Sequence, residues 1–220
     1  MTVNWGFALL SIAVAAAAIS MLRSSGLKTV LVGWMILSAI SGFTGVLTNF
    51  ERLPPPAMLL FFLGFLSTTY LGLSRFVQPL IALPLRLLVG FQAFRILVEI
   101  LIHQSSTIGL APPQMTWNGM NFDIVTGVTA ALIAPIADRL PRWLIIAWNC
   151  MGLGLLTWVV TVAVVSFPSP FQILKPDNLW VTQFSYVWLP TVLVPAALLG
   201  HIVCLRKMWR ATSVEQAIRE

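Results

Sequence analysis

The chain has 220 residues, of which 58% are hydrophobic and only 9% charged, and its mean hydropathy is +0.90. Values this apolar exclude a water-soluble globular domain, so the residues must be read against a bilayer. The net charge is +6 and the pI about 10.2, carried by 13 basic residues against seven acidic ones.

Apolar runs long enough to cross a bilayer, about 20 residues each, fall at 4–22, 29–49, 56–74, 77–102, 121–138, 142–166 and 183–205. They are continuous and rich in Leu and Ala, without the alternation of a membrane-barrel strand. The expected fold is therefore all-α, a polytopic membrane protein with seven transmembrane helices. It forms a single bundle over residues 1–220, with a short cytoplasmic tail from about residue 206.

The basic residues order these spans. Arg23, Lys28, Arg75, Arg139, Arg142, Arg206, Lys207, Arg210 and Arg219 fall on one side, whereas only Arg52 and Lys175 fall on the other. The positive-inside rule then places the N-terminus outside and the C-terminus in the cytoplasm. The basic pI follows from this bias and implies no nucleic-acid partner. A cleaved signal peptide over the first run is not expected, because no Lys or Arg precedes it and cleavage would reverse the orientation. Trp5, Trp117 and Trp180 at the outer interface, with Trp143 and Trp209 at the inner one, would form an aromatic belt.

Cys150 and Cys204 are expected to be small packing residues rather than a disulfide. No CxxC, HExxH, P-loop, GxGxxG or GxSxG pattern occurs, and no internal repeat supports a transporter built from inverted halves. Proline at 79, 84, 135, 190 and 195 should kink spans and free backbone carbonyls. Gly42 and Gly45 before Val46, and Gly152 with Gly154, suggest close helix contacts.

The fourth span carries the strongest chemical signal. Gln92, Arg95, Glu99 and His103 lie within about 80° of arc on one helix face. Toward the cytoplasm the same stripe becomes Leu88, Leu85 and Ile81, so the polar part covers roughly 16 Å of the outer half. Arg95 in lipid would cost about 3 kcal/mol or more, so it should face the bundle and be paired. Glu99 is one turn away, but Arg before Glu is the weaker order on a helix. Asp123, in "MTWNGMNFDI" at the outer end of the fifth span, is a competing carboxylate. The expected constellation is Gln92, Arg95, Glu99, His103, Asn121 and Asp123, the wall of a pocket open to the outside. The loops 104–120 and 167–180 are long enough to fold over it.

This cluster can be read as a ligand, ion or proton site, or as an ion-pair network holding two helices in register. An i, i+4 pair such as Glu99 and His103 supplies only two metal ligands, and no metal site and no cofactor are expected. Arg86 points away from the stripe and should snorkel or pair near the cytoplasmic end. His201 and Asn149 belong to the inner half, where ordinary polar packing is expected.

Phe94-Arg95 followed by Val98-Glu99, then "MTWNGMNFDI" at 115–124 and "VWLPTVLVPAALLGHIVCLRK" at 187–207, resemble a family of small, uncharacterised bacterial integral membrane proteins. That family shares a Phe-Arg/Val-Glu helix, a Met-Thr-x-x-Gly-x-Asn-Phe-Asp segment and a Trp-Leu-Pro helix ending in His and basic residues. The match extends over about half the chain. Members often carry a basic residue where this chain has Met120. The resemblance implies a bacterial inner-membrane location and adds Trp188, Pro190 and His201 to Arg95, Glu99, Asn121 and Asp123 as positions of interest. It names no activity.

Three functional classes follow. The first is a protein that binds or transports a small polar or charged ligand, or a proton, through the outward pocket. The second is an accessory subunit of a membrane complex, in which a membrane-protein partner is expected and the Arg-Glu-Asp cluster is structural. The third is a membrane enzyme acting on a lipid-linked substrate, which would need a convergent acid/base pair and a lateral opening. A retinal Schiff base is excluded, because Lys28, Lys175 and Lys207 all lie at surfaces or in loops.

Overall fold

A computed structural model of the chain describes residues 2–219, with side chains from 3 to 210, so the Arg219 side chain lies outside the described residues. Regular structure is entirely helical among the described residues. The α-helices are α1 (Thr2–Met21), α2 (Ser25–Thr44), α3 (Pro56–Leu73), α4 (Gln78–Ile81), α5 (Leu85–Phe91), α6 (Phe94–Thr107), α7 (Ile124–Ile133), α8 (Arg142–Val165) and α9 (Val194–Arg219). Five stretches are long and apolar enough to cross a membrane: Val3–Met21, Ser25–Thr44, Pro56–Leu73, Arg142–Val165 and Leu189–Arg210.

The other two expected spans are interrupted. Pro84 cannot donate a backbone hydrogen bond and separates α4 from α5. After α5 the chain tightens into i→i+3 hydrogen bonds, with Gln92 N bonded to Val89 O at 3.0 Å and Ala93 N to Gly90 O at 3.0 Å, and then resumes as α6. Similarly, α7 passes into a 3₁₀ helix over Ala134–Arg139 that contains Pro135. These two interrupted stretches pack on each other, α5 against both α7 and the 3₁₀ segment and α6 against α7. Asp138 of the 3₁₀ segment accepts from Leu85 N at 2.8 Å, capping α5 where Pro84 offers no side-chain acceptor. Arg86 faces the same carboxylate at 3.9 Å, the pair expected for it.

Helix α9 is the centre of the bundle, packed on α3, α8, α5, α4 and α1. It is preceded by a π-helical turn over Leu189–Leu193 that contains Pro190. Pro195 has no N–H for Thr191 O, and the Trp34 indole supplies the missing bond at 2.9 Å. The Trp188 indole donates in turn to Met35 O at 3.0 Å, so two indoles tie α2 to the bundle.

The basic residues of the last helix hold the carbonyl ends of other helices. Arg206 donates to Ser74 O at 2.7 Å beyond α3, and Lys207 donates to Ile81 O at 3.0 Å at the end of α4. Cations satisfy exposed carbonyls and complement the negative helix ends there. This is the basic end of the bundle. At the other, loop end, Gln114 donates to Pro176 O at 2.7 Å and Ser185 to Asn4 O at 2.6 Å.

Several expectations change in three dimensions. Trp180 is not a belt residue: at 3% exposure it packs edge-on to Phe7 and beside Tyr186. Trp117 stacks on His103 at a 4.2 Å centroid distance, whereas Trp5 and Trp143 are exposed as a belt requires. Gly45 ends α2 in the left-handed region at φ 72°, which favours glycine, and a Cβ there would face open space rather than another helix. Gly42 does make a close contact, against the backbone at Phe184, but Gly154 does not. Cys150 is an exposed free thiol and Cys204 a buried one.

Candidate functional site

Arg95 stands at the point where the tightened turn after α5 ends and α6 begins. Its guanidinium has five N–H groups in a planar fork and cannot accept a hydrogen bond. Nε donates to Asp123 Oδ2 at 2.6 Å, and a second nitrogen meets Asp123 Oδ1, giving a bidentate pair between α6 and the residue that precedes α7. The third nitrogen faces His201 Nε2 of α9 at 2.9 Å.

That contact assigns the histidine tautomer. Since a guanidinium only donates, Nε2 must accept and Nδ1 must carry the hydrogen. Nδ1 faces Asn149 Oδ1 of α8 at 2.9 Å, and the Asn149 amide donates to His201 O at 3.0 Å. The histidine is thus held from both sides by groups that agree on one neutral form.

Glu99 does not pair with Arg95. Both of its oxygens face Asn121 Nδ2, at 2.9 and 2.8 Å, and the same amide donates to Met115 O at 3.0 Å. Asn121 Oδ1 accepts from Asp123 N at 3.0 Å. A continuous polar chain therefore runs Asn149–His201–Arg95–Asp123–Asn121–Glu99, joining α8, α9, α6 and the segment that leads into α7. Its members, together with Gln92, are 0–6% exposed.

Glycines make the room. A Cβ on Gly152 of α8 would stand 2.9 Å from His201 Nε2, and one on Gly127 of α7 would stand 2.9 Å from Ile96 N. The first lets the imidazole lie against α8, and the second lets α7 approach the α6 backbone. Gly200 leaves space for the Gln92 amide, which donates to Ala197 O at 2.9 Å.

The loop end covers the chain of polar groups. The segment "MTWNGMNFD" turns tightly, with Gly119 N bonded to Thr116 O at 2.9 Å and Met120 N to Gln114 O at 3.1 Å. The Trp158 indole of α8 holds Met120 O at 2.8 Å. Gln114 and Phe167 are buried where the two long loops meet, linked by the Gln114–Ser166 hydrogen bond at 3.3 Å.

The chain matches no protein-family model, no curated protein and no solved structure. Of the six residues expected together, Arg95, Glu99, Asn121 and Asp123 form the network. Gln92 lies one turn along and bonds to α9 instead. His103 stands outside it, stacked on Trp117. His201 and Asn149, assigned from sequence to ordinary packing, complete it. Their signal was the guanidinium itself, because one carboxylate cannot satisfy five donors. Two further polar atoms near the network, Gln92 Oε1 and Thr126 Oγ1, are buried with no hydrogen-bond partner. No group of three His, Cys, Asp or Glu side chains among the described residues is placed to hold a metal ion.

Proposed function

We propose that this protein crosses a bacterial inner membrane seven times, N-terminus outside, and uses the Arg95 network to bind or move a proton or a small polar ligand from the outer side. The observation that carries the reading is a charge imbalance. Arg95 brings one positive charge, whereas Asp123 and Glu99 bring one negative charge each when ionised. The buried cluster is therefore one proton or one small cation short of neutrality, and an uncompensated charge is expensive at this depth. The unbonded Gln92 Oε1 and Thr126 Oγ1 offer a visiting water or ligand two further polar atoms. Entry from outside requires the covering loops to open.

The test is proton flux into vesicles containing the purified protein and an internal pH-sensitive dye, driven by an imposed potential. Wild type should exceed empty vesicles, and Glu99→Gln should reduce the excess at least about tenfold while keeping the helical circular dichroism. Wild-type flux equal to that of empty vesicles rejects proton movement.

A second reading, an accessory subunit with a structural network, draws on the full pairing of Arg95 with Asp123 and His201. It predicts a stoichiometric partner chain in native mass spectra and no small adduct.

Topology has its own check. With Cys150 and Cys204 replaced by Ala, a membrane-impermeant maleimide added to intact cells should label Ser169→Cys and leave Arg139→Cys unlabelled. The reverse pattern would invert the proposed orientation.

A further inference from the structure

A cleft of about 570 Å³ opens between α1, α2, α3 and α9. It lies within the range of small-molecule sites, roughly 300–1,000 Å³. Its wall takes the last half of α1 from Val14 on, with Leu22 just beyond it, the first half of α2 from Leu27 to Trp34 and the last half of α3. All three stretches belong to the basic-end half of the bundle. Val14 to Leu22 spans about 12 Å at 1.5 Å per residue, close to one leaflet's share of a hydrocarbon core about 30 Å thick.

The opening is lateral. Val30 on α2 and Tyr70 on α3 line the cleft and are 67% and 74% exposed, so they stand where the two helices part toward the lipid. The polar wall residues are Ser67, Thr68, Tyr70 and Thr191, which include no acid/base pair. This is a binding surface and not a reaction centre.

Three cations stand at its basic end. Arg23 and Lys28 adjoin the wall residues Leu22 and Leu27, and Arg75 adjoins the wall residue Phe76. Unlike those of Arg206, Lys207 and Arg210, the side chains of these three make no ion pair or hydrogen bond among the described residues. The turn between Arg23 and Lys28 also begins α2, whose first N–H groups favour an anion.

We propose that the cleft seats an acyl chain of an anionic phospholipid from the leaflet at the basic end, with its phosphate held by Arg23, Lys28 and Arg75. Apolar length and positive charge match the two halves of such a molecule in the order in which a leaflet presents them. A zwitterionic lipid would fill the same apolar space without needing three unpaired cations. Trp34, at the inner limit of the cleft, is a built-in reporter.

The full chain in phosphatidylcholine vesicles, titrated with phosphatidylglycerol carrying brominated acyl chains, tests this through quenching of tryptophan fluorescence. Trp34→Phe gives the contribution of that one indole among nine. The Trp34 part should be half-quenched at a mole fraction about tenfold lower than with brominated phosphatidylcholine. Arg23→Gln, Lys28→Gln and Arg75→Gln should each raise that mole fraction about fivefold, whereas Arg139→Gln, a cation away from the cleft, should not. Ala196→Phe, which fills the cleft, should abolish the Trp34 component. Equal quenching by both lipids, or charge variants no different from Arg139→Gln, would overturn the proposal. As a measurement independent of Trp34, native mass spectra of wild type should retain one phosphatidylglycerol per chain, and loss of preference over phosphatidylcholine would also reject it.

Discussion

Replacing Arg95 by Ala should unfold or severely weaken the protein, at a cost of about 3–5 kcal/mol. The substitution removes the bidentate partner of Asp123 and the donor to His201 Nε2, both at least 94% buried. Asp123 would then be a buried carboxylate with no cation and no hydrogen-bond donor to its oxygens, since its own N–H is given to Asn121 Oδ1. For a chain of this size the loss corresponds to a fall in Tm of about 10 °C, readable by circular dichroism in detergent. Removing both charges should cost less than removing one. Arg95→Met with Asp123→Leu is expected to recover most of the loss, because apolar residues of similar size replace an ion pair without leaving an orphan. A cost below about 1 kcal/mol for Arg95→Ala would mean that water reaches the cluster and that the loops do not seal it. Additivity of the two single variants would mean that the pair is not coupled.

The second large effect is expected from a glycine in the loop. A Cβ on Gly119 would fall 2.8 Å from Gln114 Cα and closer still to Pro113 O, so backbone must move to admit it. Overpacking of this kind costs typically about 1–3 kcal/mol. Here it has a further consequence, because the same turn aims Met115 O at the Asn121 amide, the group that also holds Glu99. Gly119→Ala should therefore loosen Asn121 and uncover Glu99. Hydrogen exchange is the direct check. The amides of Met120 and Asn121, bonded to Gln114 O and Thr116 O, should exchange at least about tenfold faster than in wild type. Unchanged exchange would mean that the loop accommodates the methyl without losing its turn.

The two variants separate the halves of the network. Arg95 joins α6, α9 and the segment before α7, whereas Gly119 sets the turn that covers the network at the loop end. If Gly119→Ala raises proton flux while Glu99→Gln abolishes it, the covering loop limits access to the carboxyl. If neither variant changes flux, the accessory-subunit reading gains.

The legible part of the site was the part carried by helical spacing and by the cost of charge in lipid. Arg95 and Glu99 share a face because they are four residues apart, and Asp123 was expected as a competitor because an arginine at that depth needs a carboxylate. Both expectations match the observed pairing, in which Asp123 takes the guanidinium and Glu99 turns to Asn121. His103 shares that face but does not bond into the network, since facing the same side of a helix does not say what stands opposite. Trp117 stands opposite it.

By itself the sequence determined that this is an apolar, all-helical membrane protein, where most of its helices lie, and which arginine had to be buried. Hydropathy, the fixed 3.6-residue period and the price of an unpaired charge are local properties that one chain carries along its length. Only the tertiary structure decided that two of the expected spans are broken at Pro84 and Pro135. It also decided that His201 and Asn149 complete the arginine's hydrogen bonds and that a cleft opens beside Arg23, Lys28 and Arg75, whose side chains have no partner among the described residues. Those features depend on which helix faces which, and on small residues such as Gly152 and Gly127 that permit close approach. Side chains far apart in sequence meet there through packing, which no periodicity within one segment encodes.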